Sequence, residues 1–236
     1  MEIKVAFHLI SDEENFSLED DAVKGTRKQI KILADPYPLM KEHVKREVSN
    51  EAQKALKELI AEKYQSSEII ICKKTGARYG QPCAMLEDNR EKTLINVSVS
   101  HNKDAFAVCI SKSRLVGIDL QSEIRATVSS LWAFFSSEER NVLNNSKAGA
   151  GFSLRKTATI IWTIKEAFLK AIGVGFRYGF NSLIVADIDW EQGEMVLHIS
   201  NRISNFFNRG SKINLYISPG TSQVLTVAVI NNIAVS

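Results

Sequence analysis

The order of elements predicts an α+β protein built from two halves of similar make-up. Three observations carry that prediction. Apolar residues alternate at the start of the chain and again in closely spaced segments at 95–120 and 195–230. Helical periodicity appears separately, at 39–64 and 153–172. Read in order, the elements run β–α–βββ and then α–α–βββ. Element order alone divides the chain into halves at 1–112 and 113–236, around Ser111–Arg114.

Residues 1–10 read as a half-buried strand through Ile3, Val5 and Phe7. Residues 11–38, acidic and then basic and closed by Asp35-Pro36-Tyr37-Pro38, read as loop with some helix. From Leu39 to Tyr64, Val44, Val48, Ala52, Leu56 and Leu59/Ile60 recur at helical spacing between Lys and Glu residues. Gly76 and the turn Gly80-Gln81-Pro82 interrupt the next section.

Strands are expected at Ile95–Ser100, Ala105–Ile110 and Leu115–Leu120. The short gaps His101–Asp104 and Ser111–Arg114 suit hairpins, and so antiparallel pairing of consecutive strands. A helical section covers Val128–Leu143 with Leu131, Trp132, Phe134 and Phe135. A polar stretch, Asn144–Gly151, then precedes the helix of 153–172. After Gly173, strands are expected at Met195–Ser200, Ile213–Ile217 and Val224–Ile230, the last preceded by a Pro219-Gly220 turn.

Composition narrows the function classes. A chain of 236 residues, 44% hydrophobic, is ordinary for a soluble globular protein. A formal charge of +3 without aromatic-basic interleaving argues against nucleic acid as a partner. No apolar run is long enough to span a bilayer, and the alternating start is unlike a signal peptide. The three cysteines, Cys72, Cys83 and Cys109, form no C-x-x-C pair and cannot all pair within the chain. Reduced thiols and a cytoplasmic location are expected.

Two segments carry the chemistry. Val116-Gly117-Ile118-Asp119-Leu120-Gln121 is a buried run holding an acid, and a buried carboxylate must be paired, hydrogen-bonded or metal-bound. In the helix of 153–172, Ile160, Ile161, Ile164, Phe168, Ala171 and Ile172 gather on one side. Trp162, Thr163, Glu166 and Lys170 gather on the other. A Glu and a Lys four apart also describe an ordinary surface pair, and Asp119 also fits a strand-end turn cap. Trp162 on the polar side favours a covered cleft. Asp119 and Glu166 facing one another would supply the protein share of a magnesium site, with phosphate oxygens completing the shell. Gly173-Val174-Gly175-Phe176-Arg177-Tyr178-Gly179 has the wrong spacing for a dinucleotide fingerprint and follows a helix instead of a strand.

Gly80-Gln81-Pro82, Ser100-His101, Gly117-Ile118-Asp119-Leu120-Gln121 and Trp162-x-x-Lys165-Glu166-Ala167-x-x-Lys170-x-x-Gly173 occur in that order. In them the chain resembles the Sfp-type 4′-phosphopantetheinyl transferases over about residues 78–180. Phe134-Phe135-Ser136 with Glu138 or Glu139 adds to the likeness. The resemblance implies a pseudo-twofold α+β fold with coenzyme A bound between the halves, the later half carrying most of the metal site. It implies Mg²⁺-dependent transfer of the phosphopantetheine arm to a serine of an apo carrier protein, releasing adenosine 3′,5′-bisphosphate. Acyl, peptidyl or aryl carriers of fatty-acid, polyketide or nonribosomal-peptide synthesis would be the partners, and the enzyme would act as a monomer.

By the same resemblance, Asp119 and Glu166 would ligate magnesium, joined by Gln121, and Glu166 would take the serine proton. Lys170 would meet the pyrophosphate. Ser100, His101, Gln81 and Lys165 would lie against the coenzyme. Three departures stand out. Gln121 replaces a second acid found in many members, and Gln81 replaces a basic residue. The first third of the chain lacks an Arg-rich pattern, for which Lys24, Arg27, Lys28 and Lys31 are substitutes. The departures leave open a catalytically weak or inactive relative that binds coenzyme A or a carrier.

Overall fold

In a computed structural model the chain is α+β, with a six-stranded and a four-stranded sheet and one helix at the centre of the larger core. The structure describes residues 1–10, 16–17, 24–25, 43–65, 68–74, 81–88, 91–102, 105–125, 127–149, 151–206, 210–220 and 223–231. In order the elements are β1 (Glu2–Leu9), β2 (Phe16–Ser17), β3 (Lys24–Gly25), α1 (His43–Tyr64), β4 (Ile69–Lys73), β5 (Pro82–Asp88), β6 (Glu91–His101), β7 (Phe106–Ser111), β8 (Leu115–Ser122), α2 (Val128–Phe134), α3 (Ser137–Gly149), α4 (Leu154–Ala171), β9 (Leu183–Asp189), β10 (Glu194–Ile199), α5 (Asn201–Ser204), β11 (Ile213–Ser218) and β12 (Gln223–Ile230). No described helix is long and apolar enough to cross a membrane.

The smaller sheet, β4-β5-β6-β7, is antiparallel throughout. Ala52, Leu56 and Ile60 of α1 pack on Ile95, Val97, Phe106 and Ile110, which is why that helix carries an apolar residue every three or four positions. The larger sheet runs β8-β12-β11-β1-β10-β9. Its β1 lies antiparallel to β10 and parallel to β11. The N-terminal strand is therefore an interior strand of the sheet otherwise made by residues after 113, and it crosses the division drawn from element order.

One expected pairing is not formed. The gap Ser111–Arg114 suggested that β8 returns along β7, but β8 pairs with β12 and the short connection carries the chain from one sheet to the other. Loop length permits a hairpin without requiring one. Here β8 is buried on both faces from Leu115 to Leu120, and β12 offers it eight paired residues. Among the described residues the other edge of β8 has no strand partner, and two of its amides are held by side chains of β6. Ile118 N donates to Ser98 Oγ (3.0 Å) and Leu120 N to Ser100 Oγ (3.1 Å). Two serines of β6 thus stitch the sheets together beside Asp119.

The stretch Asn144–Gly149, expected to be a polar separator, continues α3. The helical section before it is broken at Phe135-Ser136. Ser136 and Glu139 form a reciprocal cap there: Glu139 N donates to Ser136 Oγ (3.2 Å) and Ser136 N to Glu139 Oε2 (2.9 Å).

Helix α4 begins at the N-cap Ser153, whose Oγ accepts from Lys156 N. It ends in a Schellman turn at Gly173 (φ 76°), with Gly173 N to Lys170 O (3.0 Å) and Val174 N to Leu169 O (3.1 Å). All of α4 is buried except Leu154, Arg155, Trp162, Glu166 and Lys170. Thr163, expected on the cleft side, is enclosed and shares a hydrogen bond with Thr226 of β12 (2.7 Å).

Gly117 is where α4 meets β8. A Cβ there would lie 1.9 Å from Ala167 O and 2.5 Å from Ala171 N, so only glycine permits the approach. Gly117→Ala must push the helix off the strand, and overpacking of this kind costs about 1–3 kcal/mol. We expect a lower urea midpoint; an unchanged midpoint would show that the helix and strand separate without cost.

Candidate functional site

Trp162, Glu166 and Lys170 form a single stripe at four-residue spacing on an otherwise enclosed helix. Across from them β8 presents Asp119, 3% exposed, and β6 presents Ser100. Lys170 Nζ lies 2.6 Å from Asp119 Oδ1 and 3.3 Å from Glu166 Oε2, and also donates to Ser100 Oγ and Ile118 O, each at 3.2 Å. Ser100 Oγ donates to Asp119 Oδ1 at 2.8 Å. Trp162 Nε1 donates to Glu166 Oε1 at 2.9 Å, which orients the carboxylate from the far side.

These groups open onto a cleft of about 230 Å³ lined by Val99, Ser100, His101, Asp119, Leu120, Gln121, Glu166 and Lys170. Burial holds the Glu166 carboxyl above its usual range, the negative charge of Asp119 raises it further, and Lys170 opposes both. The two acids therefore repel one another in a partly dry site with one lysine between them. Asp119 Oδ2 is buried with no hydrogen-bond partner among the described residues. An unsatisfied carboxylate oxygen next to a second, destabilised carboxylate is an arrangement suited to a hard cation. Asp119 and Glu166 fit that role, with the amide oxygen of Gln121 as an uncharged supplement. Among the described residues no three His, Cys, Asp or Glu side chains converge.

A raised carboxyl has a stability consequence of definite sign. The folded protein binds that proton more tightly than the unfolded chain does. Stability therefore falls as pH rises from the unfolded value through the folded one. Glu166→Gln removes this cost. Its melting temperature should exceed that of the unsubstituted protein at pH 8, and the gap should close near pH 4.5. Thermal melts at the two pH values check this, and a variant less stable at pH 8 would contradict it.

The expected site residues thus fall into two groups. Ser100, His101, Asp119, Gln121, Glu166 and Lys170 share the cleft. Lys165 does not. It is fully buried about a quarter-turn round α4 from Glu166, 2.7 Å from the equally buried Glu139 and 3.6 Å from the centre of the Phe180 ring, which leaves it no surface for a ligand. Gln81 is engaged elsewhere, since its Nε2 donates to Lys170 O (3.0 Å) and Ala171 O (3.2 Å) and so caps α4 from the smaller sheet. It lines a neighbouring pocket of about 310 Å³ with Pro82, Ser98, Lys170 and Arg177. Gly80, Arg27, Lys28 and Lys31, and the side chain of Lys24, lie outside the described residues.

Sequence reasoning did not single out Glu139 as an anchor. Its Oε1 takes both Lys165 Nζ and Val185 N, while Oε2 closes the cap of α3. The Ser-x-x-Glu spacing of Ser136 and Glu139 was the available signal. Also unread was the aromatic cluster around Trp162, formed by Phe134, Phe176 and Phe180, with Phe134 58% and Phe176 45% exposed.

A strand acid and a helix acid bridged by lysine, with serine alongside, form a polar cleft suited to phosphate groups and a divalent ion. Similarity to known proteins points the same way. Residues 115–228, a segment running from β8 into β12, match the model of the 4′-phosphopantetheinyl transferase superfamily. The chain is 30% identical over 112 residues to 4′-phosphopantetheinyl transferase gsp of Aneurinibacillus migulanus, covering 46% of this chain and 43% of that protein. It is also 30% identical over 137 residues to the L-aminoadipate-semialdehyde dehydrogenase-phosphopantetheinyl transferase of Xenopus laevis, covering 53% of this chain and 42% of the relative. The chain thus spans less than half the length of the curated relatives it matches.

Proposed function

We propose that this chain moves the 4′-phosphopantetheine arm of coenzyme A onto a serine of an apo carrier protein and releases adenosine 3′,5′-bisphosphate. The observation that carries the reading is the meeting of Asp119, Glu166, Lys170 and Ser100 in one cleft, three of them within the segment that matches the superfamily. In the proposed reaction Glu166 accepts the serine proton, and its raised pKa makes it a better base than an ordinary carboxylate. Lys170 neutralises charge on the phosphate that departs, so the site works by positioning and electrostatics. Ser100 and His101 line the side on which the coenzyme phosphates would rest. Asp119 and Glu166 would hold Mg²⁺, with Gln121 as a third oxygen donor. When bound, the ion supplies charge neutralisation at the phosphoryl oxygens.

The deciding experiment incubates the purified protein with coenzyme A, Mg²⁺ and a panel of apo acyl, peptidyl and aryl carrier domains, read by intact-protein mass. Failure to load any carrier would end the proposal. Gln121→Glu should lower the Mg²⁺ concentration needed for half-maximal transfer, because it adds a negative charge to the ligand set. An unchanged metal titration would place residue 121 away from the ion. The reading extends to a cytoplasmic monomer whose two α+β halves, 1–112 and 113–236, are related by a pseudo-twofold, with β1 docked on the later one.

A second reading, a relative that binds coenzyme A or a carrier without efficient transfer, is favoured by the neutral Gln121 and by the engagement of Gln81 Nε2 with the end of α4. Calorimetric binding of coenzyme A without turnover would establish it.

A further inference from the structure

Three cysteines in a chain with no C-x-x-C pair gave no reason to expect a disulfide, but the fold brings two of them together. Cys72 of β4 and Cys83 of β5 are directly opposed partners in the antiparallel ladder, and their Sγ atoms lie 2.7 Å apart. Opposed residues in such a ladder have Cα atoms about 4.5–5.5 Å apart, inside the range of about 4.4–6.8 Å that a disulfide spans. The sulfurs need only close to the bonded separation of about 2.05 Å. Cys109 belongs to a different buried cluster, with Val116 and Tyr216. The pairing is thus specific to two of the three thiols.

We propose that Cys72 and Cys83 are a reversible dithiol–disulfide modification site, oxidised by exchange with a low-molecular-weight disulfide such as glutathione disulfide. Cys72 acts first because it is half-buried, whereas Cys83 is enclosed. The Cys72 thiolate attacks one sulfur of glutathione disulfide, forming a mixed disulfide and expelling one glutathione thiolate. The Cys83 thiolate then attacks the Cys72 sulfur, forming the cross-strand bond and expelling the second glutathione. Two protein thiols are oxidised, one external disulfide is reduced, and the two thiol protons leave with the two glutathione molecules. Burial, followed by its contact with Cys72, pushes the Cys83 thiol up to about 12, consistent with its role as the resolving group and not the first attacker.

The site lies away from the cleft but not apart from it. Cys83 follows Gln81-Pro82, and Gln81 caps the end of α4 at Lys170. Cross-linking β4 to β5 at this point ties the edge strand of the small sheet to the strand that reaches across to that helix.

The experiment equilibrates the folded, full chain with an excess of glutathione disulfide, quenches with acid, unfolds it and alkylates the free thiols. Intact mass and peptide mapping then identify the linkage. We expect one alkylatable thiol per chain in place of three, a single linked peptide pair containing Cys72 and Cys83, and full reversal by dithiothreitol. The same treatment in urea, where no ladder aligns the cysteines, should give mixed linkages more slowly. Three free thiols after equilibration, any linkage that includes Cys109, or the same mixture from folded and unfolded chains would each overturn the proposal. None of these readouts depends on phosphopantetheine transfer.

Discussion

Asp119→Ala and Glu166→Gln are each expected to lower transfer to a carrier by about 100-fold to 10,000-fold, the usual range for loss of a positioned acid–base group. The two should differ in cause. In Asp119→Ala, Lys170 loses its 2.6 Å partner and Ser100 Oγ loses its acceptor, so the cleft loses both the proposed cation ligand and the group that orders two of its neighbours. In Glu166→Gln the amide still accepts from Trp162 Nε1, and the shape of the site is kept while its basicity is removed. Circular dichroism should show both variants folded. In the proposed reaction the unsubstituted protein should lose transfer on the acidic side of its pH profile, because Glu166 must be ionised to accept a proton. The residual activity of Glu166→Gln should lack that limb. Near-normal transfer by either variant would remove that residue from the reaction.

Lys165→Met should produce the largest loss of stability among single changes in α4. Glu139 and Lys165 are both fully buried, and removing one partner strands the other's charge in the core, at a cost of about 3–5 kcal/mol. The melting temperature should fall by roughly 10 °C for a chain of this size. Desolvation lowers the Lys165 pKa while Glu139 opposes that shift, so the ammonium is held in place by a single anion and the face of Phe180. The double variant Glu139→Leu/Lys165→Met should recover much of the loss, since an apolar pair of similar volume replaces the ions. A single variant within about 1 kcal/mol of the unsubstituted protein in urea unfolding would show that the pair contributes little. The effect should also reach the cleft. Phe180 packs on Trp162 in a tilted pair with centroids 4.8 Å apart, and Trp162 holds Glu166.

What the sequence disclosed about the site was mostly local. Gly117 and Asp119 in one buried run, and Glu166 and Lys170 one turn apart, were legible because both features lie within a few residues. The structure does bring Asp119, Glu166 and Lys170 together around one cleft. Lys165 was not legible. It is one residue from Glu166 and therefore about a quarter-turn round the helix, and its partner Glu139 lies 26 residues away. Periodicity located β6, β10, β11 and β12, but β4, β5 and β9 went unread. Ile69–Lys73 is short and a partly exposed edge strand, and Leu183–Asp189 opens on an apolar run, Leu183-Ile184-Val185-Ala186, instead of a clean alternation. Pairing was least visible of all. Nothing near Leu115 announces that its neighbour is Ile230, and nothing near Val5 announces Met195.

The position of β1 has a consequence for how the molecule comes into being. Its hydrogen-bonding neighbours begin at Glu194 and Ile213, so this strand is synthesised well before the strands that seat it. At about 5–20 residues per second, roughly 10–40 seconds of synthesis separate the strand from its seat. During that interval Val5 and Phe7 have no core to enter, and both edges of the strand are open. Pairing of such high sequence separation closes slowly, so seating of β1 is expected to be a late step in completing the sheet.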